Sequence, residues 1–228
     1  MCIRDRDIPA GQTVAIVGKT GSGKSTIARL LLRFYEPQAG QVRLDDKEIG
    51  AITQRSLRSA VSLVPDEPFL FSTSIFENIS YGKPDATRGE VEAAAKAAQA
   101  HGFISELESG YDTVVGERGY DLSGGQRQRI SLARLFLQSP SVILLDDSTS
   151  AIDVEIEQSI HQALKSLLQD RTTIVIAHRL STIALADRVV LIDKGKVIAD
   201  GTHRQLLLNE PRYIETLEAS SETGEPWS

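Results

Sequence analysis

Cysteine is almost missing from this chain: Cys2 stands alone among 228 residues. No disulfide can form within it, and the usage fits a reducing compartment. Long apolar runs are missing too. None approaches the roughly 20 residues that a membrane-spanning helix needs, and the N-terminus lacks the apolar centre of a secretory signal. Basic runs are also absent. The 25 Lys and Arg stand against 31 Asp and Glu, a formal charge of −6, which argues against nucleic acid as the main partner. What remains is ordinary for a globular chain, 41% hydrophobic and 25% charged, enough for one or two domains with a full core. The expectation is a soluble piece, with any membrane function supplied by a part attached to it.

What is there centres on Gly18-Lys-Thr-Gly-Ser-Gly-Lys-Ser-Thr26. Thr13-Val-Ala-Ile-Val17 before it reads as a short buried strand. Ile27-Ala-Arg-Leu-Leu-Leu32 after it has helical spacing until Pro37 and Gly40. Strand, glycine loop and helix in that order make a phosphate-binding loop, G-x-x-x-x-G-K-S/T. Gly18, Gly21 and Gly23 let the backbone curl until successive N–H groups face one centre, where side chains would collide. The helix starting near Lys24 turns the positive end of its dipole to that centre. Lys24 is placed to reach the β- and γ-phosphates and the Ser25 hydroxyl to ligate Mg²⁺, with Lys19, Thr20, Ser22 and Thr26 completing the loop.

The rest of the chain supplies strands and helices around that loop. Gln41-Val-Arg-Leu44 and Val61-Ser-Leu-Val64 read as short strands, with a turn at Asp45-Asp46 and a stop at Pro65. Pro65 to Ser74, with Phe69 and Phe71, reads as a loop with an apolar face. Thr87 to Ala100 reads as one helix, Glu92 and Lys96 standing at i,i+4. Leu122-Ser-Gly-Gly-Gln126 opens a periodic segment, Arg127 to Gln138. Ser123 is its N-cap, and two glycines leave the first helical N–H groups uncovered. Val142-Ile-Leu-Leu145 is an apolar strand ending in Asp146-Asp147, two carboxylates at the edge where α/β sheets bind ligands. With a phosphate-binding loop upstream, Asp146 is the expected Mg²⁺ partner. A helix from about Asp153 to Gln169 leads into a strand, Thr173 to Ala177, that brings His178 to the same edge. Val189–Ile192 and Val197–Ala199 flank Lys194-Gly195 as a tight hairpin. Met1–Arg6 reads as a foreign or truncated start, and residues 220–228 as a frayed tail.

Together these motifs resemble the nucleotide-binding domain of ABC (ATP-binding cassette) transporters, from about Ile8 to Ala219. The resemblance rests on Walker A at Gly18–Thr26, the LSGGQ signature at Leu122–Gln126 and Walker B at Val142–Asp146. Ser150-Ala-Ile-Asp153 is similar to the D-loop, and His178 stands like the switch histidine. Thr113-Val-Val-Gly-Glu-Arg-Gly119 is similar to the X-loop of exporters. The resemblance implies an α/β fold of the P-loop NTPase class over residues 7–219. Its parts would be a RecA-like core, a small antiparallel β part and an inserted α-helical subdomain at about 74–138. It also implies two such domains closing head-to-tail around two ATP molecules. Ser123, Gly124, Gly125 and Gln126 of one chain would then face Walker A, Walker B and the histidine of the other. Closure would drive a transmembrane domain, normally N-terminal in the same polypeptide, from the cytoplasmic face of the membrane. The Phe69–Phe71 loop and Ser74–Ile79 are the expected docking surface for it.

Three departures from the family pattern shape the functional expectation. Seventeen residues precede Gly18, which leaves out the family's strand with the adenine-stacking aromatic. Asp147 stands where the family has the glutamate that orients attacking water, and Asp66 where it has a glutamine reaching Mg²⁺. The expected catalytic residues are thus Asp147, His178 and Asp66, and the expected metal ligands Ser25, Asp146 and Asp66. Asp147 is one methylene short, and a misplacement of about 1 Å can cost on the order of 10²-fold in rate. The expectation is an exporter ATPase with a slow site of its own, half of a heterodimer whose other chain brings a competent site. A slow homodimer is the plainer alternative. Two rivals of another kind stay open: a soluble ABC ATPase acting on DNA or translation, and a nucleotide-binding structural subunit without turnover. The X-loop and the lack of a coiled-coil insertion or second cassette speak against the first.

Overall fold

The computed structural model describes residues 6–146, 163–177 and 180–221; Asp147, residues 150–153 and His178 lie outside them. In chain order the described elements are β1 (Thr13–Val17), α1 (Lys24–Leu31), β2 (Arg43–Leu44), β3 (Lys47–Glu48), α2 (Gln54–Ala60) and β4 (Val61–Val64). Next come α3 (Ile75–Ser80), α4 (Arg88–Ala97), α5 (His101–Glu106), α6 (Gly124–Gln138), β5 (Val142–Asp146) and α7, helical over 163–168. Last are β6 (Thr172–Ile176), α8 (Leu180–Ile183), β7 (Arg188–Asp193), β8 (Lys196–Gly201), α9 (His203–Asn209) and α10 (Pro211–Ser221). The chain divides into two compact units. Among the described residues, those of 6–61, 141–146 and 170–221 form the first, and those of 62–140 and 163–169 the second.

In the first unit β5, β6, β1 and β7 lie side by side in that order, all parallel, and β8 closes antiparallel on β7. The centres of the four parallel strands are apolar runs because parallel strands are covered on both faces. Val14–Val17, Ile143–Leu145, Ile174–Ile176 and Val189–Ile192 are all buried. Register brings three strand ends level: Ile16 pairs with Ile176, and Ile176 with Asp146. The chain therefore leaves β1 for the glycine loop at the edge where β5 ends in Asp146, two strand spacings or roughly 10 Å away. The sequence reading of one shared edge holds for Asp146.

Two tight hairpins belong to this unit. β2 and β3 pair around Asp45 and Asp46, with φ of 47° and 61°. β7 and β8 pair around Lys194 and Gly195, with φ of 47° and 73°. Positive φ at both central residues is the shape of a turn whose twist matches its strands. α9 and α10 pack on each other.

The second unit is built on α6, whose Ile130, Leu132, Ala133 and Leu135 are buried and which packs on α3 and α4. Two expectations change here. Thr87–Ala100 is not one helix: α4 ends at Ala97, and Gln99 takes φ 55°. The Gln99 N–H then bonds Lys96 O, and the Ala100 N–H bonds Ala95 O at 2.7 Å. This pair of bonds closes a helix C-terminus whatever the propensity of the next residues. Ser74–Ile79, expected as docking surface, is accessible only in part, at Ser74, Phe76 and Glu77. A capping box between Ser74 and Glu77 starts α3, and Ile75, Asn78 and Ile79 are fully buried. The exposed apolar surface beside it is Phe69, half exposed, and Tyr81, with the half-buried Phe71 stacked on Tyr81 at 4.5 Å.

Candidate functional site

The glycine loop is shaped by two different demands on its glycines. Gly21 and Gly23 have φ of 78° and 107°, the left-handed region where a Cβ is strained. Gly18 has no such φ. A Cβ there would lie 2.2 Å from the Ile192 carbonyl oxygen and 2.7 Å from Ser22 Oγ, so Gly18 is required by close approach of β7. The Ser22 N–H donates to Lys19 O at 3.0 Å, and the Gly195 N–H donates to Ser22 O at 2.8 Å. The β7–β8 turn thus supports the loop from behind.

Gly23 is the N-cap of α1, which has neither a side-chain cap nor an acidic residue in its first turn. α2, α3, α4, α6 and α9 are instead closed by Thr53, Ser74, Thr87, Ser123 and Thr202. The first N–H groups of α1 are left facing an open cavity of about 270 Å³ lined by Thr20, Gly21, Gly23, Lys24, Ser25 and Thr26. Lys24 is buried, 5% exposed, and its Nζ donates to Gly18 O at 2.5 Å and Lys19 O at 3.2 Å. An ammonium has three N–H donors, so one remains for an anion. Burial pulls Lys24 below the usual lysine range, and the Asp146 charge opposes that shift. Ser22 Oγ is buried with no hydrogen-bond partner. A buried cation and an uncapped helix N-terminus around one cavity fit a phosphate chain. Among the described residues no three His, Cys, Asp or Glu gather to hold a metal. Ser25 in the loop and Asp146 at the end of β5 are oxygen ligands of the kind Mg²⁺ takes, one or two from the protein and the rest from phosphate and water.

The second unit carries the other motifs. Ser123 Oγ accepts from the Gln126 N–H at 3.2 Å, and Gln126 Oε1 accepts from the Ser123 N–H at 2.8 Å. Ser123 is the N-cap as expected, and the capping box engages the Gln126 N–H while the Gly124 and Gly125 N–H groups lie outside it. Arg127 donates to Leu122 O at 2.5 Å and Gly119 O at 3.4 Å. Thr113–Val115 runs beside Thr73–Ile75, with Val115 N–H on Thr73 O and Ile75 N–H on Thr113 O. Asp66 has an exposed side chain, and its main-chain carbonyl accepts from Gln128 Nε2.

The structure thus brings Gly18–Thr26 and Asp146 to one edge of the first unit and places Ser123–Gln126 and Asp66 in the second. Asp147 and His178 lie outside the described residues. Ile192, Gly195 and Gln128 were missed in the sequence. Lys194-Gly195 was legible as a turn, but nothing local announces what a turn touches.

A family model described as ABC transporter matches residues 5–150. The chain belongs to the ABC transporter family. It is 50% identical over 216 residues to ABC transporter B family member 19 of Arabidopsis thaliana, covering 95% of this chain and 17% of that one. It is likewise 50% identical over 209 residues to the ATP-dependent lipid A-core flippase of Chromohalobacter salexigens, covering 92% of this chain and 36% of the flippase. Among solved structures it is similar to a bacterial Atm1-family ABC exporter with ATP bound. The TM-score is 0.89 at 45% identity, over 97% of this chain and 38% of the exporter. The chain spans well under half the length of these ABC relatives, and its α/β P-loop NTPase fold is theirs over that span.

Proposed function

We propose that this chain is the ATP-binding and ATP-hydrolysing domain of an ABC exporter. The observation that carries the reading is the glycine loop. Uncapped α1 and buried Lys24 line one cavity, at the edge where β5 ends in Asp146. The names of the flippase and of the Atm1-family exporter support the transport side.

In this reading Lys19–Thr26 wrap the phosphates, and Lys24 supplies the charge-assisted contact to the β- and γ-phosphates. Ser25 and Asp146 would hold Mg²⁺, which when bound offsets phosphate charge. Asp147 orients the attacking water, His178 stands by the γ-phosphate and Asp66 is a further carboxylate toward Mg²⁺; these roles follow the family resemblance. The domain runs over 7–219, with a helical subdomain at about 74–138 that offers Ser123–Gln126 to ATP held by a second domain of the same kind. A transmembrane domain in the same polypeptide anchors it at the cytoplasmic face and docks on Phe69 and Phe71.

The finer part of the proposal concerns rate. Asp147 is a methylene shorter than glutamate and leaves this chain's own site slow, so the second domain is a different chain with glutamate at that position. Single-turnover ATP hydrolysis tests it, on this chain alone and then mixed with such a partner. The expected result is a slow chain, a faster mixture and a further gain from Asp147→Glu. Family-like turnover by the chain alone removes the heterodimer, and no turnover in any mixture leaves a nucleotide-binding structural subunit.

A further inference from the structure

Gln128 lies five residues after Ser123, about 7 Å along α6 at roughly 1.5 Å per residue. It is 1% exposed, and a primary amide so buried must find partners. Its Nε2 donates to the main-chain carbonyl of Asp66 at 3.1 Å, across 62 residues of sequence. We propose that Gln128 is a positioning residue that fixes the Asp66 backbone to α6, so that the Ser123–Gln126 turn and the Asp66 carboxylate move as one body. This rests on the reading above of that turn as nucleotide-facing and of Asp66 as directed to Mg²⁺.

The start of α6 is held as a block. The Ser123–Gln126 box closes its first turn, Arg127 grips Leu122 O, and Arg129 donates to Gly125 O at 3.3 Å and Gln99 O at 2.9 Å. A displacement of Ser123 is therefore passed to Gln128. Downstream, Arg134 of the same helix donates to Phe69 O at 2.8 Å and to Asn78 O and Oδ1, both at 2.6 Å. The segment from Asp66 to Phe69 is thus tied to α6 at two points six residues apart, Gln128 and Arg134. With two attachments to one helix, this loop follows α6 when α6 shifts. Methionine at 128 would keep the volume and lose the donor. Glutamate would keep the shape and turn an acceptor toward the Asp66 carbonyl.

The test uses the whole chain by itself in the single-turnover assay, since Asp66 is assigned to this chain's own slow site and not to the faster site that the partner domain brings. Gln128→Met is expected to raise the Mg²⁺ concentration for half-maximal rate by about tenfold, as loss of an outer supporting contact does. KM for ATP should stay within about twofold, since the hydrogen bond that is removed ends on the Asp66 carbonyl and not on the phosphate loop. Asp66→Ala should shift the Mg²⁺ dependence at least as far, and the double variant no further than Asp66→Ala alone. Additive shifts overturn the proposal, as does parental Mg²⁺ dependence in Gln128→Met beside a shifted Asp66→Ala. Two resonance measurements stand apart from catalysis. The Glu67 amide shares a peptide group with the Asp66 carbonyl, so its signal should move in Gln128→Met, or in Gln128→Glu if methionine fails to fold. In the unchanged chain the Gln128 side-chain protons should exchange at least about tenfold slower than those of an exposed glutamine. Free exchange there overturns the proposal even if no variant folds. If Asp66→Ala leaves the Mg²⁺ dependence unchanged, the metal reading of Asp66 fails instead, and the two resonance results decide the positioning claim.

Discussion

The N–H of Gly195 donates to the carbonyl of Ser22 at 2.8 Å, joining a hairpin turn to the loop that would hold phosphate. Three residues earlier the Ile192 carbonyl stands so near Gly18 that a Cβ would come within 2.2 Å of it. The edge of β7 is therefore part of the mould in which the glycine loop is cast, although it carries no residue of the motif.

That mould sets the cost of each glycine. Gly18→Ala meets a backbone atom, which has no rotamer with which to yield, and is expected to cost about 3 kcal/mol, the upper end for overpacking. A Cβ on Gly21 meets nothing within 4 Å and is opposed only by its φ of 78°, a cost of about 1 kcal/mol. Urea unfolding of the two variants checks the order. Equal losses would show that backbone conformation, and not the approach of Ile192, governs the loop.

Acid stability depends on the far strand of the same hairpin. Arg188 grips Asp200 with two bonds of 2.6 Å, and Arg6 adds a third contact at 3.0 Å. The Arg188 hydrogen bond is the main cause holding the Asp200 carboxyl below its ordinary 3.8. The folded chain binds that proton less tightly than the unfolded one, so the stabilisation is present above 3.8 and is lost as pH falls below it. Asp200→Asn should flatten the fall of the unfolding midpoint as pH drops below 3.8. An unchanged slope would place acid sensitivity elsewhere.

Association is expected to need nucleotide. The surfaces assigned to it, the Thr20–Thr26 cavity and the exposed Ser123, are polar and carry donors that suit phosphate rather than each other. Sedimentation should show a monomer without nucleotide and a heavier species with Mg-ATP. A stable dimer in its absence would contradict the sandwich arrangement.

Legibility in the sequence followed how local each cause is. β1, the glycine loop and the β7–β8 turn were readable because runs of apolar residues and glycines act within a few positions of themselves. Asp146 was readable as a strand end. α3 and α9 passed unread, although Ser74 with Glu77 and Thr202 with Gln205 are capping boxes in plain sequence. Phenylalanines and a short length hid the first, and a run of three leucines without clear period hid the second. Gln99 could not be foreseen as a break, since its φ of 55° is imposed by the turn into α5. In the site, residue types told which groups could meet phosphate. They did not tell that Ser123 and Gln126 bond each other, or that Gln128 reaches Asp66 across 62 residues.

The central claim is that Lys24 and the uncapped start of α1 hold the phosphates of ATP, and calorimetric titration tests it most directly. Losing one charge-assisted contact costs roughly 1.5–3 kcal/mol. Mg-ATP should therefore bind the unchanged chain, and at least about tenfold more weakly after Lys24→Ala. Equal affinity of the two proteins for Mg-ATP would contradict the account.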